Sequence, residues 1–192
     1  MDLDSFYTSE MAAHQDTARA TRESLREPFH KLVNLCLGAI DTGAKIMFFG
    51  NGGSAADAQH LATELVARYK QDRPAIAALA LTTDTSALSA IGNDFGFENI
   101  FARQVEALAR PGDVAIGIST SGNSENIVRA LTAATQAGAT AVAFTGLGGG
   151  RLAAIAELLI AVPSTDTARI QEMHILVGHM LCAVLETDES PS

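Results

Sequence analysis

Five short apolar runs, Lys45–Phe49, Ala75–Leu79, Asp113–Ile118, Thr140–Phe144 and Leu158–Val162, set the strongest limit on how this 192-residue chain can fold. None of them alternates polar with apolar residues, so each reads as a strand buried on both faces. Segments of helical periodicity separate them: Ser54–Tyr69, Ser86–Ile91, Ile100–Leu108, Ser124–Gln136 and a short one around Leu152–Ile155. Strands alternating with helices indicate an α/β fold, a five-stranded parallel sheet with helices on both faces. Two helical patterns over about Leu3–Asp41 precede this unit. In the second, Leu25, Phe29, Leu32, Leu35, Cys36 and Ile40 recur at helical spacing, and Gly43 ends it. A long helix, roughly Arg169–Glu186, follows the core of about residues 45–162.

No linker, low-complexity segment or internal repeat divides the chain, so residues 1–192 are expected to form a single domain. Only Thr187–Ser192 reads as frayed. Hydrophobic residues make up 47% and charged residues 18%, the balance of a compact globular protein. A net charge of −9 and the absence of Trp argue against nucleic-acid binding, which needs cations for the phosphates and rings for the bases. The opening MDLDSFYTSE has no apolar signal core, and no apolar run approaches the ~20 residues that cross a bilayer. A cytoplasmic protein with no membrane partner is expected. Cys36 and Cys182 lie in apolar helical patterns and read as buried, inert thiols.

The last helix carries Ile170, Met173, Ile175, Leu176, Val177, Met180, Leu181, Val184 and Leu185, which cover more than one face. Either it runs through the middle of the fold or a neighbouring subunit buries its second face. The modest length of the chain favours the neighbour.

Two strand-to-helix loops carry the chemistry. The first strand empties into Gly50-Asn51-Gly52-Gly53-Ser54, and a helix begins at once. Glycines let the backbone approach a ligand, and the helix start offers unpaired N–H groups to an anion. Gly117-Ile118-Ser119-Thr120-Ser121-Gly122-Asn123-Ser124 repeats the arrangement with three serines and a threonine, Ser124 standing at the N-cap position. A matched pair of such loops points to a phosphate. Neither ends in Gly-Lys-Ser/Thr, which excludes a P-loop, and no acidic residue follows at the dinucleotide-binding spacing. Ser54 with Asp57 reads as a helix-start capping pair.

His60 and Glu64 share one face of the first loop's helix. Gln171, His174 and His179 stand on the apolar last helix, where a buried polar side chain needs a partner. Two readings are open for His179. It is a core histidine bonded to a backbone carbonyl, or it joins His60, Glu64 and Gln171 as acid, base or metal ligand. Asp94 lies in Gly92-Asn93-Asp94-Phe95-Gly96, read as a turn. It serves either sugar hydroxyls at the strand ends or local backbone bonds.

These stretches, FFGNGGSAADAQHLATELVARY (48–69), AIGNDFGFENIFARQVEAL (90–108), GDVAIGISTSGNSENIVRAL (112–131) and RIQEMHILVGHMLCAVLE (169–186), resemble the sugar isomerase (SIS) domain family, in its sedoheptulose-7-phosphate isomerase branch. The resemblance covers essentially the whole chain. STSGNS alone marks the fold; its combination with GNDFGF, His60/Glu64 and Gln171/His179 is more specific. It implies an aldose–ketose isomerase in which Ser54, Ser119, Thr120, Ser121 and Ser124 hold the phosphate. Glu64 and His179 are then the acid–base pair, and Asn51, Asp94, Arg68 and Gln171 lie near the sugar. Some members bind zinc at the positions of His60, Glu64, Gln171 and His179, and the family forms homotetramers with sites between subunits. This chain departs from some relatives at Ala168, where they carry an acidic residue. A non-catalytic branch, the DnaA initiator-associating proteins of replication control, has similar RIQEMH and SAADAQH segments. The resemblance implies that this branch lacks the Glu64/His179 pair.

Overall fold

Strands β1 (Ile46–Gly50), β2 (Ala78–Ala80), β3 (Val114–Ile118), β4 (Thr140–Thr145) and β5 (Leu158–Ala161) pair in parallel in the order β2-β1-β3-β4-β5. Between and around them run α1 (Leu3–Ser24), α2 (Arg26–Asp41), α3 (Gly53–Val66), α4 (Thr85–Phe95), α5 (Ala102–Leu108), α6 (Glu125–Gln136) and α7 (Thr167–Thr187). The computed structural model describes residues 1–187. Thr187 closes α7, and the rest of the expected frayed tail lies outside the described residues. Among the described residues no helix is long and apolar enough to cross a membrane.

Alternation along each strand splits the core in two. Ile46, Phe48, Val114, Ile116, Val142, Phe144 and Ile160 point to one side, where Leu32 and Cys36 of α2, Leu61 and Leu65 of α3, and Met173, Val177 and Leu181 of α7 cover them. Met47, Phe49, Ala115, Ala141 and Ala143 point to the other, against Phe101, Val105 of α5, and Ile127 and Leu131 of α6. Small residues on this second face let α6 come close. A Cβ at Gly117 would stand 2.8 Å from the Ile127 side chain.

Three expectations change. The second strand shrinks from Ala75–Leu79 to Ala78–Ala80, because the Ile76 N–H turns to the Leu65 carbonyl at the end of α3 instead of the sheet. The helix Ser86–Ile91 extends to Phe95. Asp84 caps its start by accepting from the Ala87 N–H at 2.9 Å, and Gly96 ends it, so Asp94 sits on a last helical turn and not in a loop. Finally, α7 runs largely through the fold, packed on α1, α2, α3 and β4. Most of its apolar surface is buried within the chain, which leaves Leu176 and Met180 exposed. A neighbour is therefore not needed to explain most of its composition.

Helices α3 and α7 lie side by side and point the same way. Gln171 meets Gly53, Gly178 meets Leu61, and Glu186 meets Tyr69. A Cβ at Gly178 would come within 2.5 Å of Leu61, so glycine permits this close approach.

Candidate active site

The chain order reverses between β1 and β3, since β2 lies beyond β1 while β4 and β5 lie beyond β3. Ligands of open parallel sheets bind at such a point, past the carboxyl ends of the strands. Gly50 pairs with Ile118, so the two serine-bearing loops leave the sheet side by side. Gly52 takes φ 55 before α3, and Gly122 takes φ 65 with no space for a Cβ, which would lie 2.0 Å from the Gly149 carbonyl oxygen. Asn51 and Asn126 bond reciprocally through their amides at 3.0 and 2.8 Å, tying one loop to the other.

Ser54 and Ser119 are buried, and the Ser119 hydroxyl lies 3.0 Å from that of Ser124 and 3.5 Å from that of Ser121. Ser124 stands at the N-cap position of α6, where its carbonyl accepts from the Ile127 and Val128 N–H groups while its hydroxyl turns to Ser119 instead of capping the helix. Thr120 closes the base of the loop, its carbonyl accepting from the Gly146 N–H at 2.9 Å. Three hydroxyls thus converge at the start of α6, where N–H groups and the helix dipole favour an anion. Neither loop contains Lys or Arg. Ser54 and Asp57 do not cap α3: its N-cap is Gly52, and no side chain bonds there.

Asp57 instead joins the second group of polar side chains. His60 Nε2 lies 2.9 Å from His179 Nε2 and 3.3 Å from a Glu64 oxygen. At that separation one ring nitrogen carries the hydrogen and the other accepts it. Asp57, half-buried one turn before His60, has its carboxyl pushed up by burial, offset in part by His60 and His179. The Tyr69 ring stacks on His179, with centroids 5.5 Å apart and planes at 23°. Sequence reasoning passed over Tyr69 and Asn126 and gave Asp57 a capping role that it does not have. For Asp57 the i,i+3 spacing to His60 was the available signal.

Three other candidates stand elsewhere within one chain. Gln171 rests against Gly53, eight residues and about 12 Å along α7 from His179. Arg68 is exposed just past α3, and Asp94 is exposed on α4, bonded to the Asn93 amide at 2.7 Å. The core-histidine role belongs to His174. It is 1% exposed, 3.0 Å from the Thr145 carbonyl oxygen through Nε2, and burial lowers its pKa to about 4.

Known proteins place this geometry. The SIS domain model matches residues 7–146. A phosphoheptose isomerase of Paramagnetospirillum magneticum is 55% identical over 192 residues, the full length of both chains. The structure of a phosphoheptose isomerase from Neisseria gonorrhoeae superposes with a TM-score of 0.92 at 43% identity, covering 97% of this chain and 100% of that one. One from Francisella tularensis gives 0.95 at 32% identity, covering 98% and 100%. The chain belongs to the SIS domain family, in its phosphoheptose isomerase branch.

Proposed function

We propose that this chain interconverts D-sedoheptulose 7-phosphate and D-glycero-D-manno-heptose 7-phosphate, supplying heptose for lipopolysaccharide or another surface polysaccharide. The carrying observation is the His60/Glu64/His179 cluster on α3 and α7, set past two anion-binding loops at the switch point of the sheet. Neutral hydroxyls and N–H groups hold the phosphate. From Ser54 to His60 the chain rises about 9 Å along α3. The six C–C bonds of an extended heptose span about 8 Å, so a sugar anchored at the loop reaches the cluster with its C1–C2 end.

Isomerisation moves a proton between C1 and C2 through an enediol. Glu64 takes the proton from carbon and returns it to the neighbouring carbon, while His179 gives a proton to the carbonyl oxygen and recovers one from the adjacent hydroxyl. Asn51, Arg68, Asp94 and Gln171 are assigned to the sugar chain. The resemblance implies that the replication-associated branch lacks the carboxylate–histidine pair, which is present here, so the catalytic reading is preferred.

A divalent metal, most naturally Zn²⁺, is proposed as an occupant of His60, Glu64, Gln171 and His179 in a second state of the site, because the enediol chemistry above runs without metal and a Glu64 bound to metal is a poorer base. His60 Nε2 faces both the His179 ring nitrogen and a Glu64 oxygen, donor types that suit zinc. The two imidazole nitrogens, 2.9 Å apart, would have to part to admit a metal between them. Gln171 would have to leave Gly53 to join them. Bound there, zinc would polarise the sugar carbonyl. A homotetramer is proposed on the exposed apolar residues Leu3, Phe6, Tyr7 and Met11 of α1 and Leu176 and Met180 of α7. A cytoplasmic location agrees with two free, buried cysteines.

The test assays the purified chain with sedoheptulose 7-phosphate, before and after chelation, with metal content measured in parallel. Formation of the heptose aldose is expected, and no turnover under any metal condition overturns the reading. Full activity in a metal-free sample rejects a required metal. Sedimentation as an active monomer rejects the tetramer.

A further inference from the structure

Glu186 is a buried carboxylate in the last turns of α7, seven residues after His179 and on the same side of the helix. A negative charge at a helix C-terminus opposes the macrodipole, so Glu186 adds nothing favourable to α7 itself. Its partners lie on the segment that leaves α3. One oxygen accepts the N–H of Tyr69 at 2.8 Å and that of Lys70 at 2.9 Å, and the other accepts the Lys70 N–H at 2.7 Å. These bonds fix two consecutive residues just beyond α3.

Fixing that backbone fixes the Tyr69 ring. It lies stacked on the His179 imidazole, and the Lys70 ammonium sits 4.8 Å from the Tyr69 centroid. His60 meets the same imidazole edge-on, with centroids 5.1 Å apart at 73°. His179 is only half-buried, and an imidazole so placed would otherwise rotate among its side-chain wells. The stacked phenol and the His60 edge together leave one orientation, with Nε2 directed at His60, which in turn meets Glu64.

We propose that Tyr69 and Glu186 are positioning residues for His179: the carboxylate grips the Tyr69–Lys70 backbone, and the Tyr69 ring holds the imidazole in its working orientation. The inference rests on the isomerase reading, in which His179 handles the proton on oxygen. Tyr69 acts through its ring face, not its hydroxyl.

The experiment measures kcat and KM with sedoheptulose 7-phosphate for the full-length wild type and for Tyr69→Phe, Tyr69→Leu, Glu186→Gln and Glu186→Ala, with thermal unfolding of each. Tyr69→Leu keeps apolar bulk without the stacked ring. It should lower kcat by ~10–100-fold with KM little changed, the scale expected of a misplaced catalytic group. Tyr69→Phe should retain most of the activity, and Glu186→Ala should lower kcat more than Glu186→Gln does. A merely structural role would lower the unfolding midpoint without dividing kcat from KM, and Phe would not restore turnover selectively. Wild-type kcat in Tyr69→Leu, or equal damage in Tyr69→Phe and Tyr69→Leu, overturns the proposal. An inactive wild type overturns the isomerase reading, and this proposal with it. An active wild type with unaffected Tyr69 variants removes the positioning role alone.

Discussion

His174 and His179 stand five residues apart on one helix and have opposite surroundings. His174 is 1% exposed, lies beside Phe144 with ring centroids 5.7 Å apart, and gives Nε2 to the Thr145 carbonyl, while its Nδ1 finds no partner among the described residues. His179 is half-buried, faces His60, and is backed by Tyr69. Five residues turn the helix by about 140°, enough to carry one side chain into the core and the other to the cleft. Residue type therefore decides little. Access to substrate and a second titratable group across the helix gap distinguish the histidine proposed to do chemistry from the one that bonds the end of β4.

The sharpest way to break this distinction is to remove each histidine in turn. Glu64→Gln and His179→Gln should each lower kcat by ~10²–10⁴-fold, the usual contribution of a general acid or base, without loss of fold. His174→Gln should leave turnover per folded molecule near wild type. Steady-state kinetics normalised to folded protein measure all three. Full activity in Glu64→Gln and His179→Gln, or an equal loss in His174→Gln, would erase the contrast.

A second experiment separates chemistry from binding. Ser119→Ala combined with Ser124→Ala removes two of the three converging hydroxyls and leaves the His60/Glu64/His179 cluster intact. Hydrogen bonds to a charged group contribute about 1.5–3 kcal/mol each, so KM for the phosphorylated sugar should rise roughly 100-fold or more. An unchanged KM would show that the phosphate sits elsewhere.

The contrast between the two histidines was only half legible in the sequence. Buried parallel strands announce themselves as unbroken apolar runs, so β1, β3, β4 and β5 fell within a residue or two of their places. Strand β2 did not, because its boundary depends on a long-range bond from Ile76 to Leu65 that no local pattern encodes. The serine loops were readable because glycine and hydroxyl residues cluster in sequence as they do in space. The cluster on α3 and α7 joins residues more than a hundred positions apart, and spacing alone left His179 open to the core reading that His174 fills. Asp57 was misplaced for a related reason. A carboxylate three residues after a serine matches a cap pattern, yet α3 starts two residues earlier, with Gly52 in the cap position, so Ser54 and Asp57 both lie inside the helix. The two-sided apolarity of α7 pointed outward to a neighbour, although α1, α2, α3 and β4 of the same chain cover most of it.

The smallest expected effect tests the buried half of the comparison. Burial holds the His174 pKa at about 4, whereas an unfolded histidine titrates near 6.5. The unfolded state therefore takes up a proton between these values while the native state does not. The stability contributed by neutral His174 is complete above pH 6.5 and is lost as pH falls toward 4. Between pH 7 and pH 5 the loss should be about 2 kcal/mol. Glu172 and Glu186 act at more acidic pH. Burial alone would raise each carboxyl, but Arg169 and His14 for Glu172, and the Gln71, Lys70 and Tyr69 N–H groups for Glu186, hold them below the ordinary carboxylate range. Urea unfolding of wild type and His174→Gln at the two pH values isolates the histidine, since Gln keeps a donor for Thr145 but does not titrate. The wild type should lose more stability on acidification than the variant, by that amount. Equal losses would mean that His174 accepts a proton in the folded protein as readily as an exposed histidine, and the division between a structural and a chemical histidine on α7 would fail at its buried end.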